Sequence, residues 1–182
     1  MHWYILISMF DARNFIQDLE PAKKILEAQG AVLKGHYVIH DCIYKATDGT
    51  LIDSVFLRLR LVPVNIWNEK AVIVAIKNTQ KKEVGKVSVI PLKKEFDTKE
   101  EAEVFIQQNY ASQFTFDFEF DREGWQYDLG EDQVDLENIE GHCSIEFKSK
   151  TEEGLRKLLD LFNAEDLIRG PSVVAIKKIL GR

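Results

Sequence analysis

Between Phe56 and Leu61 apolar and basic residues alternate one by one. Successive side chains of a strand point to opposite faces, so Leu57, Leu59 and Leu61 share one face and Arg58 and Arg60 the other. The leucine face requires a core. The arginine face must meet water, carboxylates or a bound anion, and two guanidinium forks on neighbouring same-face positions suit phosphate oxygens. The plainer alternative is an amphipathic strand with solvated arginines. The clearest alternation lies further on. Phe114, Phe116, Phe118 and Phe120 fall on one face, and Thr115, Asp117, Glu119 and Asp121 on the other. This predicts a strand whose phenylalanines are core.

Met1 to about Phe15 predicts a long first strand with Trp3, Ile5, Ile7, Met9, Asp11 and Arg13 on its odd-numbered face. A helix follows, with Asp18 as N-cap, Pro21 in the first turn and Gly30 as the stop. Leu19, Ala22, Ile25 and Leu26 form its apolar stripe. Strands are predicted over 31–45, 55–62 and 71–77. The last puts Lys77 on one face with Ala71, Ile73 and Ala75, leaving room for something to approach. Pro63 to Lys70 reads as a loop, and Lys81, Lys82 and Lys86 as a solvated turn. Val87 to Phe96 is extended. Thr98 caps a second helix, with Glu101 completing a capping box. Short strands are expected near 125–129, 133–139 and 143–148, and Thr151 and Ser172 cap two last helices. The order strand, helix, three strands occurs twice, without an identity-level repeat. Many antiparallel strands with few helices predict an α+β fold, a closed or nearly closed barrel, in one domain over 1–182.

Composition narrows the function classes. The chain has 182 residues, 45% hydrophobic and 30% charged, as expected of a soluble globular protein with a sizeable core. A formal net charge of −6 argues against a nucleic-acid partner, which needs a basic footprint, and leaves a local basic pocket open. The two cysteines, Cys42 and Cys143, are too few for a disulfide framework, so a cytoplasmic setting is expected. The apolar run Trp3 to Phe10 is too short to span a membrane and lacks the marks of a signal peptide, so no membrane partner is expected. His36, His40 and Cys42 share a strand face. With His142 and Cys143 elsewhere they make a zinc site conceivable, although the spacing matches no tight zinc motif.

Six stretches, in order, resemble the CYTH family of class IV adenylate cyclases, thiamine triphosphatases and inorganic triphosphatases. DLEPAKKILEAQGA is similar to its first helix. HDCIYK resembles its "D-x-Y-F/Y" strand, with Asp41 and Tyr44 near the expected places. FLRLR is similar to "aLRiR", and AVIVAIK, ending at Lys77, to "wLtyK". VDLENIEGHCSIEF resembles "v.lD.v.glG.f.EiE", placing Glu137 and Glu146 at carboxylate positions. GPSVVAIKKIL resembles the C-terminal "Sy.elL". The chain also departs from the family. In place of the signature Glu-x-Glu-x-Lys stand Met9, Asp11 and Arg13. The central-strand acidic pair falls at Pro91 and Lys93. Arg122 aligns with a family arginine, but Phe120 replaces the lysine before it, and Lys148 replaces the last acidic residue of "EiE".

The resemblance implies an antiparallel eight-stranded tunnel barrel with flanking helices that binds a triphosphate or polyphosphate together with Mg2+ or Mn2+. It implies phosphate contacts from Arg58, Arg60 and Lys77, with Arg122 and Arg13 behind them. Metal ligands would come from Asp11, Glu137 and Glu146, because these ions take hard oxygen donors. Hydrolysis and cyclisation both fit, as does a homodimer. Each residue also has a plainer reading. Glu137 and Glu146 neutralise Arg58 and Arg60 inside a barrel, Lys77 is a strand-end surface lysine, and Asp11 and Arg13 form a surface pair. Three expectations follow: a metal-dependent enzyme acting on a triphosphate, a degenerate module that binds phosphate or polyanion without turnover, or an interaction protein with a closed interior.

Overall fold

The structure is a computed structural model describing residues 9–49, 54–67, 69–165, 167–168 and 172–182. The predicted first-strand positions Trp3, Ile5 and Ile7 lie outside the described residues. The elements run β1 (Phe10–Phe15), α1 (Glu20–Ala28), β2 (Val32–Ala46), β3 (Val55–Val64), β4 (Val72–Lys81), β5 (Lys86–Phe96), α2 (Lys99–Tyr110), β6 (Phe114–Leu129), β7 (Asp132–Ile139), β8 (His142–Ser149), α3 (Glu152–Leu161) and α4 (Ser172–Ile179). Among the described residues eight antiparallel strands close into a ring in the order β1-β5-β4-β3-β2-β6-β7-β8. Closure depends on β1, which pairs β8 from Phe10 to Phe15 and meets β5 at Phe10 and Asp11. Among the described residues no helix is long and apolar enough to cross a membrane.

The predicted echo is real at the level of topology. Exchanging β1α1β2β3β4 with β5α2β6β7β8 leaves the ring order unchanged. Each half also lays its helix on the outer wall of the other half. Ala22 and Leu26 of α1 pack with Leu155, Leu158 and Leu159 of α3 against Val134, Leu136, Ile145 and Phe147 of β7 and β8. Ala102 and Ile106 of α2 pack on Leu57, Leu59, Val72 and Val74 of β3 and β4. The leucine face of the alternating strand is thus buried outside the ring, and its arginine face points inside. Inside the ring, the apolar residues gather at the two ends. Ile176 of α4 seals one end against Ile43, Phe56, Phe118, Phe120 and Ile139. Tyr37, Ile39, Val62 and Ile73 gather under Ile66 and Trp67 at the other.

Several local expectations shift. Helix α1 has Leu19 at its N-cap, and Asp18 Oδ1 instead accepts from the Glu20 amide at 3.0 Å. Thr98 caps α2 as expected, while Glu101 reaches back to the amide of Asp97. Ser172 is the first residue of α4 and accepts a hydrogen bond from Lys86 Nζ at 2.8 Å. Residues 114–121 and 125–129 belong to a single strand, β6. Its phenylalanines do not share one face. A register shift opposite Ile43 and Tyr44 turns the alternation over. Phe118 and Phe120 are therefore interior, Phe114 packs under α2, and Phe116 is 53% exposed beside Tyr44. Lys86 does not lie in a solvated turn: it is buried in β5 and points inward.

Candidate functional site

The ring encloses a cavity of about 370 Å3, a size that suits a small ligand. Among the described residues eight basic and six acidic side chains line it, a formal excess of two positive charges inside a chain whose formal net charge is −6. All eight expected site residues line it: Arg13, Arg58, Arg60, Lys77, Arg122, Asp11, Glu137 and Glu146. Asp11 and Arg13 are therefore not a surface pair, and Arg13 is only 1% exposed.

On the β7–β8 wall, Glu137 is fully buried and holds two arginines. Arg13 pairs with its Oε2, and Arg122 Nη1 donates to its Oε1 at 2.6 Å, as does the Tyr37 hydroxyl at 2.6 Å. Arg13 also reaches Ser144 Oγ at 2.7 Å and Glu146 Oε1 at 3.0 Å. Lys148 joins Glu146, at 3.0 Å, to Asp135, which also accepts from Gln133. Burial works to raise the Glu137 carboxyl, but Arg122 and Arg13 outweigh it and hold it below its ordinary value. Asp135 is the reverse case. Its burial is not offset by Lys148, so its carboxyl lies above the usual range. Burial also raises the Tyr37 hydroxyl, and Glu137 adds to the shift.

The Tyr37 ring lies directly over the backbone of Gly124, where a Cβ would collide with it. Gly124 is paired with Tyr37 on one side and Glu137 on the other. Gly124→Ala should therefore push the ring off Glu137 at a cost of about 1–3 kcal/mol, the usual range for overpacking. A thermal melt would show it as a lower midpoint; an unchanged midpoint would mean the ring moves freely.

On the β2–β4 wall, Asp41 is the hub. Arg60 grips it through both forks, at 2.7 and 2.8 Å. Arg122 Nη2 lies 3.4 Å away and Arg58 Nε 3.7 Å. Burial would raise the Asp41 carboxyl, but Arg60, Arg58 and Arg122 drive it far below the normal range. Three guanidinium groups thus share one carboxylate. Arg58 is the least satisfied: among the described residues its ion pair is that 3.7 Å contact alone, and its buried Nε, like those of Arg13 and Arg122, has no hydrogen-bond partner. Burial and the neighbouring Arg60 bring Arg58 down to about 9. A delocalised guanidinium so placed is still a cation at neutral pH.

Lys77 stands beside it. Among the described residues no carboxylate lies within ion-pair distance of its Nζ. Burial, then Arg58, push it well below its ordinary value, and Asp11 offsets only part of that. Local backbone structure explains its place. The β4–β5 register slips between Ile76 and Asn78, opposite Ile90 and Pro91. A proline is tolerated at such a bulge because no ladder donor is needed there. Pro91 is exposed, whereas Lys93 lines the cavity and pairs with Glu69. Asp11 is occupied by Lys86.

The expected metal ligands do not all come together. Asp135, Glu137 and Glu146 offer oxygens within 4.8 Å of one another, with Asp135 where Asp11 was expected. Period two from Glu137 would have found it. These donors suit Mg2+ or Mn2+ in kind. They are already engaged by Arg13, Arg122 and Lys148, which a divalent ion would have to displace. The residues present therefore do not fit a metal as they stand. Sequence reasoning also missed Asp41 as a hub, although the residue itself was in view.

No protein-family model matches the sequence, and no curated protein matches it. Solved structures do match. The PH1012 protein of Pyrococcus horikoshii OT3 superposes with a TM-score of 0.68 at 16% identity, covering 87% of this chain and 92% of that one. A Hippeastrum protein, HpAC1, described as a candidate adenylyl cyclase with a dominant triphosphatase activity, gives 0.59 at 15% identity over 85% of each chain. The fold is CYTH-like. At these identities the likeness concerns the fold alone. A chain in the Mediator head module of Schizosaccharomyces pombe shares it as well, at 0.57 and 11% identity over 88% of this chain and 97% of that one. The same barrel thus stands both in a protein described by an activity and in a large assembly.

Proposed function

We propose that the cavity binds a compact polyanion, a triphosphate, polyphosphate or organic phosphate, directly through Arg58, Lys77 and Arg60 and without a divalent metal. One observation carries this reading: Arg58 and Lys77 are interior cations short of counter-charge, while the lining acids are already paired. A buried cation without a partner is costly. Phosphate oxygens would supply the missing charge, and the guanidinium forks suit their geometry. On the opposite wall Arg13 and Lys148 sit among the carboxylates and take the neutralising part that a divalent ion would otherwise play.

Calorimetry with tripolyphosphate in excess EDTA tests this. We expect one site per chain, with affinity falling as salt rises. The bound anion needs Lys77 as an ammonium, so affinity should also fall as pH rises above the lowered Lys77 value, with proton uptake on binding. The uptake is read by repeating the titration in two buffers of different ionisation enthalpy. Absence of binding in EDTA, with binding restored by Mg2+, would overturn the metal-free reading.

A second reading, turnover, draws on the fold shared with the Hippeastrum protein described by its triphosphatase activity. Phosphate release from nucleoside triphosphates, thiamine triphosphate or tripolyphosphate with Mg2+ or Mn2+ would support it, as would formation of cyclic AMP.

A further inference from the structure

Outside the ring, on the face of β2 and β6 that points away from the cavity, three unlike donor atoms converge. His40 Nε2 lies 3.4 Å from Cys42 Sγ and 3.5 Å from Glu119 Oε2, and Cys42 Sγ lies 3.7 Å from the same Glu119 oxygen. We propose that His40, Cys42 and Glu119 form a binding site for one zinc-like divalent ion, separate from the cavity.

The spacing is what a shared ion would impose. Tetrahedral zinc with bonds of about 2.0–2.1 Å to nitrogen and oxygen and about 2.3 Å to sulfur sets its ligand atoms roughly 3.3–3.6 Å apart. The separations from His40 to Cys42 and to Glu119, 3.4 and 3.5 Å, lie within that range, and the 3.7 Å between Cys42 and Glu119 lies just above it. The sheet fixes them. Cys42 is directly opposite Glu119, and His40 directly opposite Asp121, so the trio is one cross-strand pair with His40 joined to it along the diagonal. His40 also carries the orienting partner of a metal-binding imidazole. Its Nδ1 lies 2.8 Å from Asp121 Oδ1, which assigns the ring proton to Nδ1 and leaves the Nε2 lone pair facing Cys42 and Glu119. Glu119 is 55% exposed at its side chain, so an ion can enter from solvent and keep a water as fourth ligand.

The donor mix decides the class of ion. Sulfur and imidazole select zinc and its borderline-soft relatives over magnesium. Burial and Glu119 push the Cys42 thiol up to about 12, so loading releases its proton to solvent as the sulfur–metal bond forms. Thiolate, carboxylate and a divalent ion then sum to zero charge on a neutral imidazole. His36, which shares the strand face, is not part of the set: it pairs with Glu123 and lies against Trp125.

The test uses the full chain, stripped with chelator and titrated with Co2+ in excess Mg2+, which competes for any hard oxygen site in the cavity. We expect one equivalent to bind with a thiolate-to-cobalt charge-transfer band in the near ultraviolet, and Zn2+ to displace it. Cys42→Ser should abolish the band, and Cys143→Ser should leave it. Asp121→Asn should weaken binding about 10- to 100-fold while keeping the band, as loss of an orienting partner does. His40→Ala repeats the test should Cys42→Ser fail to fold. No band in the unaltered protein, or a band that survives Cys42→Ser or His40→Ala, would overturn the proposal.

Discussion

Replacing Lys77 with methionine is expected to make the protein more stable and, in the same step, to remove most of its hold on a polyanion. Methionine fills the space of the lysine stem without its charge. The ammonium it removes is buried beside Arg58, with no carboxylate at ion-pair distance among the described residues. Relieving such a group should gain about 1–3 kcal/mol, a rise in melting temperature of several degrees for a chain of this size. The pH profile gives an independent signature. Because the folded Lys77 value is lowered, the unfolded chain binds the extra proton between that value and about 10.5, so the stability of the unaltered protein should climb with pH across that window. The variant should lack this climb. Affinity moves the other way. Losing a buried charge-assisted contact costs about 2–5 kcal/mol, which is a loss of roughly thirtyfold or more in binding of tripolyphosphate. A variant that melts unchanged and binds unchanged would place Lys77 outside the binding machinery.

Glu137→Leu should have the opposite effect on the fold. Its carboxylate is shared by Arg13, Arg122 and Tyr37, all within the ring. Leucine leaves two buried guanidinium groups without their main partner, although Arg13 keeps Glu146 and Arg122 keeps a longer contact to Asp41. With those remaining contacts the loss should lie near the low end for a broken buried pair, about 3 kcal/mol, or on the order of 10 °C in melting temperature. Acid should reveal the same interaction. The Glu137 carboxyl is held below its ordinary value, so its stabilisation is complete above that ordinary value and is lost as pH falls through the lowered one. Acid titrations followed by circular dichroism should therefore show a flatter profile for the variant. Glu83, exposed and paired with Arg156 at the surface, is the control: Glu83→Gln should not shift the melt. Equal melts for both variants would mean the interior network adds nothing to the fold.

How far the sequence showed these features depends on how local each signal is. The face carried by Arg58 and Arg60 could be read because period two is a property of six consecutive residues. The repeated order of elements could be read for the same reason, and it became the two-fold topology of the ring. What failed was the rule that charge faces water. In β1 and β5 the charged face points into the cavity, so Asp11, Arg13 and Lys86 looked like surface residues and are interior. Asp135 carried a usable signal two positions before Glu137. Phe116 did not, because the slip that exposes it arises from pairing with β2. The assembly of Glu119 with His40 and Cys42 was hidden for the same reason: it is a cross-strand event 77 residues apart.

The two larger apolar layers of this protein lie between the ring and its helices, and the apolar side chains within the ring only close its two ends. Its greasy layers support the architecture from the periphery, and its bore is left to carry chemistry. Lining residues can then be exchanged over evolutionary time, provided opposite charges leave in matched sets, without disturbing the shell that sets the shape. A frame held from outside its lining is in keeping with the same fold recurring at 11–16% identity in the Pyrococcus, Hippeastrum and Schizosaccharomyces chains compared above.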